Sequence, residues 1–269
     1  MTADNMVNSL PLGDFPMEEG EKTDWIWGQL HLQAWVSAGQ LWLRHRLLDE
    51  EGQQSVMPDR DWEENRNAAD WIRWPLKGAV KSIGVNAITP DLPFVIKSKH
   101  PIYMHPGQSI DVMVSVPCWA KLTVRTADKE WELGEYSTIF LQKTWFGTPL
   151  DGELCYWRQT QAVTGEVSKD ARPNYIICPV RITNKSDEVL NFEQFNFRVE
   201  ELTLFRHEDR LWADETRIDF KGQTQTSDVT NTGRLPRHLG IRKPELVCSP
   251  RKQTRKSITR RTFNFLLNI

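Results

Sequence analysis

Four cysteines, Cys118, Cys155, Cys178 and Cys248, are the softest metal ligands and strongest latent nucleophiles in the chain, and they are scattered singly. None stands in a Cys-x-x-Cys pair or close to a histidine, whereas zinc sites draw their ligands from short paired spacings. No metal centre is therefore expected. His100 and His105 frame the segment K-H-P-I-Y-M-H-P, where the prolines favour an extended or turning backbone. On a strand their odd separation sends the two rings to opposite faces, so the pair does not chelate. With no export signal the compartment is read as reducing, and the four thiols are then small buried hydrophobes.

Carboxylates supply the next chemistry. Glu130 and Glu132 share one face of an expected strand, and Glu200 stands beside Glu201. A glycosidase needs two such groups roughly 5 to 10 Å apart across a cleft, a distance that neighbouring acids also meet by accident. No G-x-S-x-G elbow, P-loop, G-x-G-x-x-G, H-E-x-x-H or calcium loop occurs. Catalysis has no support in the motifs, and the expectation is a binding protein that needs no cofactor.

Tryptophan is the residue most in excess: 12 in 269 residues, with Trp25, Trp27, Trp35, Trp42, Trp62, Trp71, Trp74 and Trp119 in the first half. Each indole buries about 200 Å², so rings of this kind fill the gap between packed sheets. Exposed and in a row beside a carboxylate, they would instead make a platform for sugars, the basis of an alternative reading as a carbohydrate-binding or carbohydrate-cleaving module. Tryptophan also concentrates at subunit interfaces.

The elements that would carry these groups are strands. From Ser109 to Val116, Ile110, Val112, Val114 and Val116 share one face while Asp111, Met113 and Ser115 share the other. Ala120, Leu122 and Val124 repeat the pattern after Pro117 has broken the ladder. Further strands are expected at 25–33, 40–47, 82–88, 94–98, 130–133, 138–145, 153–163, 175–183, 189–197, 201–206, 211–213 and 216–220. Pro179 inside 175–183 predicts an edge strand or a bulge there. Asn184-Lys185-Ser186-Asp187 is a turn of residues that bond their own backbone, and His207-Glu208-Asp209 a polar turn. No stretch of helical period is long enough for a crossover helix. One short helix fits Asp59 to Trp71, and Ser257 to Leu267 fits helix and strand templates equally. The fold class is all-β, an antiparallel β-sandwich, either one large or two packed small ones. The expected organisation is an acidic disordered tail at 1–22, an all-β unit at 23–228 with a sub-boundary near 165–173, and a basic C-terminal segment at 229–269.

Charge is polarised although the formal net charge is only −2. Met1 to Asp70 holds fourteen Asp and Glu against five Lys and Arg, whereas Arg234 to Arg261 holds ten Lys and Arg against Glu245 alone. The run R-K-Q-T-R-K-S-I-T-R-R, with Arg251 and Arg255, is a candidate contact for an anionic surface. Without a basic overall balance or an aromatic RNA motif, nucleic acid is not expected as a partner. No apolar run approaches the roughly 18 residues that cross a bilayer, and a cytoplasmic protein is expected.

The least generic segment is Thr144-Trp145-Phe146-Gly147-Thr148-Pro149-Leu150-Asp151-Gly152-Glu153-Leu154-Cys155-Tyr156-Trp157. It reads as strand, glycine break, proline turn closed by Asp-Gly, then strand, a hairpin too long for a two-residue turn. If the hairpin is a site, Trp145, Phe146, Glu153 and Tyr156 are the groups available to it. The segment resembles the T-W-F-G…G-E-L-C-Y signature of a prokaryotic domain-of-unknown-function family numbered 432. Ile102 to Trp119, Pro179 to Ser186 with its P-V-x-I-x-N-x-S pattern, and Ser249-Pro250-Arg251 are similar to other parts of that family, a likeness that reaches back to about Trp71. The resemblance implies no catalytic residue. It implies a cytoplasmic accessory role beside a membrane channel, with a protein partner, a homo-oligomer or the cytoplasmic face of a membrane protein as the partner.

Overall fold

The computed structural model describes residues 11–48, 70–164, 172–223, 225–252, 258–260 and 262–263. These residues form twenty strands and two three-residue 3-10 turns, an all-β protein whose sheets are mostly antiparallel. The chain divides into two compact units, residues 1–88 with 119–140, and residues 89–118 with 141–269.

The first unit holds two four-stranded antiparallel sheets. One runs β1 (Gly13–Pro16), β6 (Val80–Ile88), β9 (Trp119–Thr126), β10 (Glu130–Ser137). The other runs β2 (Lys22–Trp27), β3 (Leu30–Ser37), β4 (Gln40–Leu47), β5 (Ile72–Trp74). Trp25, Trp27, Leu32, Leu43, Ile83, Val85, Leu122 and Val124 are buried; among the early tryptophans that the structure describes, Trp25, Trp27 and Trp35 act as sheet filling, while Trp42, Trp71, Trp74 and Trp119 are half-buried. β1 lies within the segment expected to be a disordered tail; it pairs with β6 from Gly13 opposite Val85 to Pro16 opposite Ser82. The single strand expected at 25–33 is two strands. Gly28 takes φ 64 and, with Gln29, forms a two-residue turn that pairs Trp27 with Leu30. β3 is buried on both faces, so its sequence lacks the alternation that would have exposed the break.

The second unit is built on β7 (Phe94–Met104), β8 (Ser109–Pro117), β12 (Glu153–Thr164), β13 (Tyr175–Asn184) and β14 (Leu190–Phe197). Their order is β14-β7-β12-β8-β13, continued by β16 (Arg210–Ala213), β15 (Leu204–His207) and β19 (Glu245–Cys248). β11 (Gln142–Phe146) pairs with β12, while β17 (Thr216–Phe220) joins β13 to β18 (Ser227–Asn231), and β20 (Ile258–Arg260) joins β18. Three pairings are parallel: β7 with β12, and β13 with β16 and β17. β18, β19 and β20 carry the sheet into the segment expected only as a basic tail. β20 gives 258–260 an extended form where helix and strand templates fitted equally, and the helix expected at Asp59 to Trp71 lies almost wholly outside the described residues.

β13 is internal, which corrects the edge expected from Pro179. Its partner on one side is β8 throughout, but on the other side it pairs with β16 at Ile176 and Ile177 and with β17 from Val180 onward. Pro179 stands in the gap between those two ladders, where no donor is required. Asn184, fully buried, closes the strand: its side-chain amide donates to the carbonyls of Met104 (2.9 Å) and Glu188 (2.8 Å), and its oxygen accepts from the Ser186 backbone (3.0 Å) and hydroxyl (2.7 Å). The N-x-S part of the sequence pattern is thus architectural.

In β14 the register slips between Phe192 and Gln194. A bulge inverts the alternation, so Leu190 and Phe192 on one parity and Phe195 and Phe197 on the other are all buried. Phe263 completes this core, its ring 4.9 Å from Phe192 and 5.7 Å from Phe220.

Candidate functional site

The signature segment folds as read: β11, a six-residue loop, then β12, with Phe146 opposite Glu153 and Trp145 opposite Leu154. Two glycines permit the loop. Gly147 takes φ 109, a conformation that favours glycine, and a Cβ on it would meet the Cα of Gly152 at 2.8 Å. The Trp145 indole N–H donates to the Thr148 carbonyl at 2.9 Å, and the residue remains 53 % exposed. Leu154 is also exposed on the same face, and Leu150 at the loop is 94 % exposed.

The remaining hairpin candidates are committed to internal contacts. Phe146 is buried in a cluster with Val95 and Cys155. Tyr156 is buried, its hydroxyl donating to Asp91 Oδ1 at 2.8 Å, and burial followed by that carboxylate pushes its ionisation upward. Glu153 Oε1 accepts from Asn196 Nδ2 at 2.6 Å and from the Arg198 guanidinium. β7 lies between these groups, pairing with β12 on one side and β14 on the other.

Arg251 also turns inward, its Nε donating to the Thr89 carbonyl, and it is close enough to Tyr156 to act on the phenol. The next residue, Lys252, donates its backbone N–H to the Glu200 carbonyl (3.1 Å) and places Nζ 3.4 Å from Glu200 Oε1. The G-E-L-C-Y and S-P-R segments, more than ninety positions apart in sequence, are thereby brought to one neighbourhood. Arg255 lies outside the described residues.

Sequence reasoning missed Asp91, Asn196 and Arg198. The one available signal was a polar Asn and Arg interrupting the apolar end of N-F-E-Q-F-N-F-R. Glu200 and Glu201, weighed as an acid pair, are both buried in the 3-10 turn Val199–Glu201. Burial raises the Glu200 carboxyl, and its Oε2 makes no hydrogen bond among the described residues. Burial, with Glu153 beside it, pushes the Cys155 thiol up to about 12, so at neutral pH it is a packed thiol and not a thiolate. Glu130 and Glu132 are exposed and paired with Arg125 (3.3 Å) and Lys121 (2.7 Å). His100 and His105 are exposed. Trp145 and Trp157 project from opposite faces of the hairpin, so these two indoles do not make one stacking platform.

A family model described as "Protein of unknown function (DUF432)" matches residues 13–268. The chain belongs to the DUF432 family. The match begins within β1, so it takes in the acidic first part that the sequence resemblance had left out. The DUF432 hairpin is the segment whose motif first pointed to the family, and most of its motif residues serve as packing, caps and ion pairs. No curated protein and no solved structure matches the chain. No helix among the described residues is long and apolar enough to cross a membrane.

Proposed function

We propose that this DUF432 protein acts through macromolecular binding, and that the exposed face of the β11–β12 hairpin receives a protein partner. The observation that carries the reading is Trp145. Its indole is held by the Thr148 carbonyl and seated against Gly152, yet the residue is exposed beside exposed Leu154. A large ring immobilised and left wet offers contact area with little further loss of side-chain freedom on binding, the property of interface anchors. The reading includes a cytoplasmic setting, as an accessory to a membrane channel, for which the buried thiols of Cys118, Cys155 and Cys178 give support.

The test is cross-linking in the native cell followed by capture of the full chain, comparing wild type with Trp145→Ala and Leu154→Ser. Both side chains are surface groups, so unfolding midpoints should stay close to wild type. A defined cross-linked partner, or a second copy, that disappears in both variants supports the reading. Identical cross-links in all three proteins would overturn it.

A further inference from the structure

We infer that the Arg234–Lys243 loop of the second unit, with the sheet face beside it, is a docking surface for a bilayer carrying anionic phospholipid. Arg234, Arg237, His238, Arg242 and Lys243 fall within ten residues, and all five are exposed. None of the five engages a hydrogen bond or ion pair through its side chain among the described residues. Elsewhere in the same unit arginines are routinely engaged: Arg181 with Asp111 (2.7 Å), Arg198 with Glu153, Arg217 with Glu215 (2.8 Å). Arg234, Arg237, Arg242 and Lys243, left unpaired together, are surface charge with no internal task.

The loop's backbone is pinned while its charges stay outside. Gly233 N–H donates to Asp214 Oδ2 (2.7 Å), the Arg234 carbonyl accepts from Glu215 N–H (3.0 Å) and the Thr232 hydroxyl (2.9 Å), and Gly240 N–H closes on the Arg237 carbonyl (3.2 Å). Pro236 is buried, and Leu235, Leu239 and Ile241 are half-buried between the cations. The loop stands beside an ion-paired part of the sheet. Arg181 of β13 and Arg217 of β17 are register partners and so share a face, and both, with His238, act on the Asp111 carboxylate, which the Arg181 hydrogen bond holds below its usual range. Between Arg234 and Lys252 the single acid is Glu245.

Three observations choose the partner. The unpaired cations are spread along an exposed loop, an arrangement suited to the distributed charge of lipid headgroups, toward which each Lys or Arg near the surface adds attraction. No Phe, Tyr or Trp occurs from Ser227 to Lys252, so the stretch offers no row of large rings on which bases would stack. Leu246 of β19, 59 % exposed beside this loop in sequence, supplies an apolar contact of the kind that adds to headgroup attraction at an interface. Arginine forks fit phosphate oxygens in pairs.

The experiment is co-sedimentation of the full chain with vesicles of phosphatidylcholine alone and with about one-third phosphatidylserine, over a salt series from about 0.05 to about 0.5 M. Wild type should sediment with the anionic vesicles only and be released by salt. The combined variant Arg234→Gln, Arg237→Gln, Arg242→Gln, Lys243→Gln should bind at least about tenfold more weakly. A companion variant, Arg234→Lys, Arg237→Lys, Arg242→Lys, keeps the charge and should keep most of the binding; if the fourfold glutamine variant does not fold, the smaller variant Arg237→Gln with Arg242→Gln decides the matter, with weakened binding expected and wild-type binding overturning the inference. Lys77→Gln with Lys81→Gln, in the first unit, is the control for general loss of charge. Failure of wild type to bind, equal sedimentation of the glutamine variant, binding to uncharged vesicles alike, or retention on duplex nucleic acid in place of vesicles would each overturn the inference.

Discussion

Trp145 and Gly152 are in contact so close that residue 152 has no room for a side chain: a Cβ there would stand 2.0 Å from the indole Nε1 and 2.7 Å from the Thr148 carbonyl that this nitrogen donates to. The glycine therefore sets the position of the exposed ring. Gly152→Ala must displace the indole or bend the loop, with an expected loss of about 1–3 kcal/mol of stability. Denaturant midpoints measure the loss, and loss of the Trp145-dependent cross-link should accompany it. An unchanged midpoint with intact cross-linking would show that the ring is not seated as described.

Glu153, Asn196 and Arg198 form a second dependency. The Arg198 side chain is 10 % exposed and the Glu153 side chain 37 %, so the pair is partly screened and its worth is below that of a fully buried one. Arg198→Met, which leaves the carboxylate with Asn196 alone, should cost about 1–2 kcal/mol. Glu153→Gln preserves an acceptor for Asn196 and should cost less. A double-mutant cycle in urea should give a coupling of the same sign, and additive effects would refute the link.

Asn184 satisfies two carbonyls and two donors from one buried side chain. Asn184→Ala leaves the Met104 and Glu188 carbonyls without that donor and should cost about 2–4 kcal/mol. Asn184→Asp offers no amide donor and should be nearly as harmful. Thermal unfolding of both variants checks this; a midpoint near wild type would deny the turn its supporting role.

Asp214 gives the protein a pH dependence of definite sign. Its carboxyl accepts from the backbone of Thr203 and Gly233, yet burial raises it from 3.8 to about 6. The folded chain holds this proton more tightly than the unfolded one. The stabilisation is therefore complete below about pH 4 and is lost as pH rises through about 6, on the order of 2 kcal/mol. Asp214→Asn should flatten the decline between those values in denaturant melts run across the pH range. The raised Glu200 carboxyl contributes a slope of the same sign that would survive the substitution.

Strands were legible where one face is wet. β4 and β17 begin and end where the alternation does, and in β8 Val112, Val114 and Val116 are buried with Asp111 exposed, as their parity requires. The signal failed at Gly28 because β3 is dry on both faces, and at Pro179 because one strand can change partners along its length. The hairpin was legible from its own Gly, Pro and Asp-Gly punctuation. Its supporting groups were not: Asn196 and Arg198 reach Glu153 across an intervening strand, a relation set by sheet order and not by local spacing.

Three peptide bonds, after Ile88, Cys118 and Phe140, carry the backbone from one unit to the other. Because β9, the inner neighbour of β6, emerges only after β7 and β8 of the second unit, the first half-product of translation holds no finished sandwich. A nascent chain stopped at Ile88 would present β6 with an unzipped rim, a template for mispairing. Neither unit can be excised by one cut in the gene, because each is assembled from two separate stretches of chain.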